Sequence, residues 1–306
     1  MNLSIKKGYN KVKRKIYKIS HPHLGDILML HRVVSNRSSL ADNRSLEITP
    51  EFLEQTILKY KYLGYRFVSL DNIYEQISKK KSFGSKFVTF TFDDGYSDNF
   101  ELAYPIFKKY DCPFAIYVTT GFMDNRVCTW WYALDELLCK HKVLQLSDGT
   151  VYNCRNIDEK NQTFEDIRAR LFNTSSMELK KTFEEWFSAY DYPFEQQTKK
   201  LALSVEQILT LSQDNLCTIA AHTETHPRLS VLDYDRQYHE ICGSKKYLEQ
   251  IIGKEVVHFS YPFGDFNCNS VQILGLCGYK TSTLNFGDDV RKGQSFYMLT
   301  RKFLYH

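Results

Sequence analysis

Residues 87–100 read FVTFTFDDGYSDNF. Six apolar or β-branched residues suit a short buried strand, yet the run ends on two adjacent carboxylates, Asp93 and Asp94, followed by a glycine. Like charges side by side raise each other's pKa and resist burial, so a strand that ends this way needs a chemical reason. Working outward, LGDILMLHRVVS at 24–35 is another such run, with His31 near its end. RFVSL, CPFAIYVTTG, NLCTIAAH, HFSYPFG and GYKTSTL continue the series. Helical patterns lie between them: TPEFLEQTILKYKYLGY opens with Thr49 as a cap and Pro50 at the first helical position, and Gly64 ends it. Strands alternating with helices predict a parallel sheet or a barrel with crossover helices.

The rhythm breaks over about 125–200. There TWWYALDELLCKH is helical, LQLSDGTVY has the Ser147-Asp148-Gly149 turn of a hairpin, and EDIRARLFNTSSMELKKTFEEWFSAY is a polar helical stretch. This predicts an insertion in one connecting loop of a single domain spanning 21–306. The 306 residues, 43% hydrophobic, can bury a large core. A net charge of +4 gives no reason to expect a nucleic-acid partner, and no apolar run is long enough to span a membrane. Residues 1–20 carry seven Lys or Arg and no acid, with Tyr9, Val12, Ile16 and Ile19 on one helical face. That basic amphipathic arm either packs on the domain or makes peripheral contact with an anionic membrane surface. The absence of a secretory pattern and of any CxxC pair among eight cysteines predicts a cytoplasmic address, with the thiols as ordinary core residues.

Three apolar runs end on reactive side chains: Asp93-Asp94, His222-Thr-Glu-Thr-His226, and Phe263-Gly264-Asp265. In a parallel barrel the C-terminal ends of all strands meet on one face, so the three can form one site. Two imidazoles and one carboxylate make a metal site that leaves positions open for water and substrate. A divalent cation also answers the aspartate question. One carboxylate binds the ion, and the ion's charge keeps the other ionised.

TFDDG at 91–95, HTETH at 222–226 and FSYPFG at 259–264 resemble the first three motifs of the polysaccharide deacetylases, the NodB homology domain of carbohydrate esterase family four. The resemblance runs from about residue 24 to 305. It implies a distorted (β/α)7 barrel that removes the acetyl group of an N-acetylated sugar with a divalent metal, Zn2+ foremost, with Co2+, Ni2+ or Mn2+ as alternatives. By position it makes Asp93 the general base and Asp94, His222 and His226 the metal ligands, with the Phe263 backbone N–H as an oxyanion donor. Many members begin the third motif with an arginine that pairs with the base; here Ser260 stands there, and Arg301 of YMLTRKFL is either its replacement or a surface residue. No Leu-x-His supplies the usual acid unless His306 serves; His31, in a segment that resembles the permuted branch of the family, is the better candidate, with a core role as its alternative. Trp130 or Trp131 either lines the sugar site or is buried in a helix. A lipid- or nucleotide-linked sugar in surface polysaccharide synthesis fits the arm and the address. A deformylase, an O-acetyl esterase or a non-catalytic sugar binder are the alternatives.

Overall fold

The computed structural model describes residues 22–306 apart from 173 and 175, so the basic arm at 1–20 lies outside the described residues. A nine-stranded sheet forms the frame. Its parallel strands run in the spatial order Thr281–Thr283, His258–Ser260, Cys217–Ala221, Phe114–Val118, Phe87–Phe92, His23–Leu30. Lys302–Phe303 then pairs parallel with Leu28 and Met29, and Leu299 bridges to Thr283. Residues 299–303 thereby fill the gap between the last strand and the first, and the sheet curls into the distorted (β/α)7 barrel. Val290–Arg291 adds an antiparallel edge on His23–Leu30.

The FVTFTF run is buried at every position, and its alternation explains why two of the six are threonines. Val88, Phe90 and Phe92 join Leu28, Leu30, Phe114, Ile116, Val118, Ile219 and Phe259 in the main core cluster, under the surrounding helices. Burial of each such side chain contributes about 1.5–3 kcal/mol. Because side chains alternate along a strand, the intervening positions face the barrel interior. That space is narrow, and it holds Thr89, Thr91, Ser260, Thr281 and Thr283, all fully buried, beside Ile27, Phe87, Ala115, Tyr117 and Ala220. Asp93 and His222 continue the inward-facing rows of their strands.

Helix Pro50–Tyr62 starts as its sequence dictates, with Thr49 accepting from the Phe52 N–H and Pro50 at the first turn, and Gly64 adopts φ 73° after its end. Val143–Gln145 and Val151–Asn153 pair antiparallel around the Ser-Asp-Gly turn. With helices Trp130–Lys140, Ile157–Leu171 and Ser176–Trp186 they build a core cluster of their own around Leu134, Leu138, Phe164 and Phe183. This insertion returns to the barrel at the carboxylate turn, where Leu203 donates its N–H to the Gly95 carbonyl at 2.9 Å.

The cysteine expectation needs correcting. Cys242 and Cys277 are joined by a disulfide, with a Cα–Cα distance of 5.8 Å, and Cys139 and Cys268 are exposed rather than core. Cys242 lies in the π-helical turn His239–Gly243 and Cys277 caps helix Cys268–Leu276, and the packing of these two segments brings together residues 35 apart in sequence.

Candidate active site

The backbone N–H of Asp93 continues the strand ladder by donating to the Leu30 carbonyl at 3.0 Å, which sets His31 beside the two carboxylates. The following YSDNF segment fixes the His31 region in turn. Asn99 donates to the His31 carbonyl at 2.9 Å, and Asp98 accepts from Arg32 at 2.7 Å and from the Val33 N–H at 3.0 Å. Immediately after Asp93 the chain turns sharply, with Asp94 at φ 75° and Gly95 at φ 85°. Thr223 (φ 66°), His226 (φ 56°) and Phe263 (φ 58°) share the left-handed region. Non-glycine residues rarely adopt it, least of all a β-branched one, and its clustering here is the strain pattern of a functional site.

Asp94, His222 and His226 converge so that one ligand atom from each lies within 4.8 Å of the others. Nε2 of His226 is 3.3 Å and Nε2 of His222 is 3.6 Å from Oδ1 of Asp94. These values bracket the separation of about 3.4 Å between two ligand atoms each about 2.1 Å from a tetrahedral ion. His222 donates from Nδ1 to the Ser260 carbonyl at 2.8 Å, so its Nε2 presents a lone pair to Asp94. Burial, the dominant influence, lowers the pKa of both imidazoles to about 4, which keeps them neutral and able to ligate near pH 7. Burial likewise raises the Asp94 carboxyl, against the opposing pull of His31 and His222. Oδ1 of Asp94 is buried with no hydrogen-bond partner. Buried polar atoms are rarely left so, and a cation between the three side chains would satisfy this one. The donor set therefore fits a divalent metal.

Arg301 is 1% exposed and lies inside the barrel. It holds Asp93 with two parallel bonds, Nη1 to Oδ1 at 2.7 Å and Nη2 to Oδ2 at 2.6 Å. Its remaining donors reach Thr91 Oγ1 at 3.1 Å, Ser260 Oγ at 2.9 Å and the Leu284 carbonyl at 2.7 Å, so all five N–H groups have acceptors. The guanidinium lies 5.5 Å from the centre of the Tyr117 ring. Burial opposes ionisation of Asp93, but Arg301, helped by His222, reverses this and holds the carboxyl well below the usual range. Arg301 thus makes with Asp93 the kind of pairing that the resemblance expects of an arginine at 260, where this chain has serine. Serine there is small enough to admit it, and its hydroxyl accepts one of its bonds.

The His31 ring packs 6.0 Å from that of Phe303, and its Nδ1 is buried without a partner. Phe263 projects an exposed ring whose centre is 4.6 Å from that of His226, while Gly264 and Asp265 make the hydrogen bonds of its turn. The two tryptophans separate. Trp131 faces His226 at 6.3 Å between ring centres and donates Nε1–H to the Tyr96 hydroxyl at 3.1 Å. Trp130 packs on Phe164 and Phe183 in the core of the insertion. The terminal His306 stacks on Phe52. Sequence reasoning missed Tyr96, fully buried directly after the DDG turn, and Tyr117 beneath Arg301. Inward phase on a strand that abuts the site would have pointed to Tyr117; nothing local singles out Tyr96.

The family model for polysaccharide deacetylases matches residues 80–282. The curated protein YxkH of Bacillus subtilis (strain 168) is 20% identical over 275 residues, which cover 90% of this chain and 69% of that one. The Streptococcus pyogenes deacetylase PplD, solved in complex with acetate, is 21% identical with a TM-score of 0.63 and 92% of each chain covered. IcaB from Ammonifex degensii is 17% identical with a TM-score of 0.62, also over 92% of each chain. At these identities the solved structures speak for the fold, the parallel barrel described above. With the family model spanning most of the barrel and its three motifs meeting on one barrel face, the chain belongs to the polysaccharide deacetylase family.

Proposed function

We propose that this protein is a metal-dependent deacetylase of an N-acetylated sugar, such as a lipid- or nucleotide-linked sugar or oligosaccharide used in surface polysaccharide synthesis. The observation that carries the reading is the side-by-side division of labour between the two carboxylates. Asp94 faces two neutral imidazoles with an unpartnered oxygen, whereas Asp93 is locked, ionised, by Arg301. A divalent ion held by Asp94, His222 and His226, with Zn2+ the best match to this donor set, would polarise the amide carbonyl and acidify a water molecule enough for a base as weak as Asp93. Arg301 aims Asp93, which keeps free lone pairs on both oxygens and takes the proton from the attacking water. The Phe263 N–H donates to the developing oxyanion. His31, held at a strand end beside both carboxylates, gives a proton to the leaving amine. Trp131, beside His226, offers an aromatic face to the sugar.

The deciding assay is acetate release from a panel of N-acetylated sugars, alongside metal analysis. Activity is expected to disappear on chelation and return with a divalent ion; a protein that binds no divalent ion under any supplementation and releases no acetate overturns the reading. Formate release instead of acetate would favour a deformylase. His31→Ala is expected to lower the rate on the order of 10²-fold with metal content unchanged. An unchanged rate would transfer the acid role to another group.

A further inference from the structure

The HTETH loop has no regular structure to hold it. It contains two left-handed residues, Thr223 and His226, and its ends carry the two imidazoles of the candidate metal site. Such a loop keeps its shape only where its surroundings over-determine it. Part of the hold comes from the neighbouring segment, where Thr120 and Gly121 donate their N–H groups to the Thr223 and Glu224 carbonyls at 3.2 and 2.7 Å. Those bonds secure the loop's acceptors. At its ends the His222 N–H donates to the Val118 carbonyl and the His226 N–H to Thr223 Oγ1, both at 3.0 Å; the two donors in its middle are secured by one side chain from a different element. Glu240 Oε2 accepts from both the Glu224 N–H and the Thr225 N–H at 2.8 Å, and Oε1 accepts from the Thr225 hydroxyl. Glu240 lies in the π-helical turn His239–Gly243, which interrupts an otherwise α-helical run from Tyr234 to Ile252. A π-turn shifts the register of the side chains beyond it, and such turns gather at functional sites. The approach is close: a Cβ on Gly243 would collide with the Glu224 side chain.

We propose that Glu240 is a positioning residue for the metal centre, its carboxylate fixing the middle of the HTETH loop so that His222 and His226 stay aimed at Asp94. This rests on the metal-site reading above. It acts by reach and acceptor placement, not by charge. Glutamine at 240 can still accept from both backbone N–H groups through its carbonyl and offer its NH2 to the Thr225 oxygen, whereas aspartate keeps the charge but is one methylene too short.

The test compares wild type, Glu240→Gln and Glu240→Asp by chelator competition for Zn2+, by the visible spectrum of the Co2+-loaded protein, and by amide exchange at Glu224 and Thr225 without metal. Glu240→Gln is expected to bind Zn2+ close to wild type. Glu240→Asp is expected to bind roughly 10–100-fold more weakly, with an altered Co2+ spectrum and faster exchange at both amides. Glu240→Asp binding as tightly as wild type, or more tightly than Glu240→Gln, overturns the proposal. Should Glu240→Asp fail to fold, Glu240→Gln decides alone: a loss of affinity of about tenfold or more there overturns the proposal, and near-wild-type binding supports it. A wild type that binds neither ion sinks the metal-site reading instead, which is a different result from equal binding by all three.

Discussion

Arg301→Met is expected to remove about 3–5 kcal/mol of unfolding free energy and nearly all turnover at neutral pH, because it leaves the Asp93 carboxylate buried without its counter-charge. Methionine fills similar space, so the loss reads the charge and the five donor bonds rather than a cavity. The pH dependence has a definite sign. In the wild type the native Asp93 pKa lies below that of the unfolded chain, so this pair's stabilisation is full above about pH 4. It is lost as pH falls through the lowered native value. In the variant, burial acts with the arginine removed and pushes the carboxyl upward. The acid limb of the pH–rate profile should then move to higher pH. Urea unfolding across pH, together with the pH–rate profile, checks both parts. A variant with wild-type stability and an unmoved acid limb would mean that Arg301 neither supports nor orients Asp93.

Asp93→Asn separates base from ligand. The three candidate metal-holding side chains are untouched, so metal content should match wild type while kcat/KM falls about 10²–10⁴-fold, the usual contribution of a general base. His226→Ala removes one of the three converging ligand atoms, and metal content and turnover should fall together. Metal analysis and acetate release on the same preparations read both. Turnover near wild type in Asp93→Asn would remove Asp93 from the role of base. An Asp93→Asn protein that loses its metal would show that the two carboxylates do not divide the work as proposed.

A good part of this site was legible in sequence because its reactive residues follow strands. A run that alternates as FVTFTF does buries both faces, and whatever follows it emerges at the barrel mouth. Asp93-Asp94, His222 and Ser260-Tyr-Pro-Phe263 could therefore be assigned to one rim from their positions alone. The Thr49-Pro50 helix start and the Ser147-Asp148-Gly149 hairpin were legible for the same reason, as local backbone chemistry. Trp130 and Trp131 mark where this ends. Adjacent on one helix, they point in directions set by packing, one into the core of the insertion and one toward His226. The Cys242–Cys277 pair likewise depends on how two segments pack, for which 35 residues of sequence separation carry no signal.

The sequence by itself determined the strand and helix alternation, the doubled carboxylate, the two imidazoles four apart, and the absence of an arginine at 260. Only the tertiary structure decided what Arg301 does. Whether an arginine near a chain's end is a solvated surface charge or the partner of a buried carboxylate depends on barrel closure. Residues 299–303 close the ring between Thr283 and Leu28, which turns the Arg301 side chain inward beneath Asp93. Closure is a long-range pairing, and it places in contact two residues 208 positions apart. The same holds for Glu240 and the HTETH loop: hydrogen bonds between elements are set by packing, and no local pattern in the chain records them.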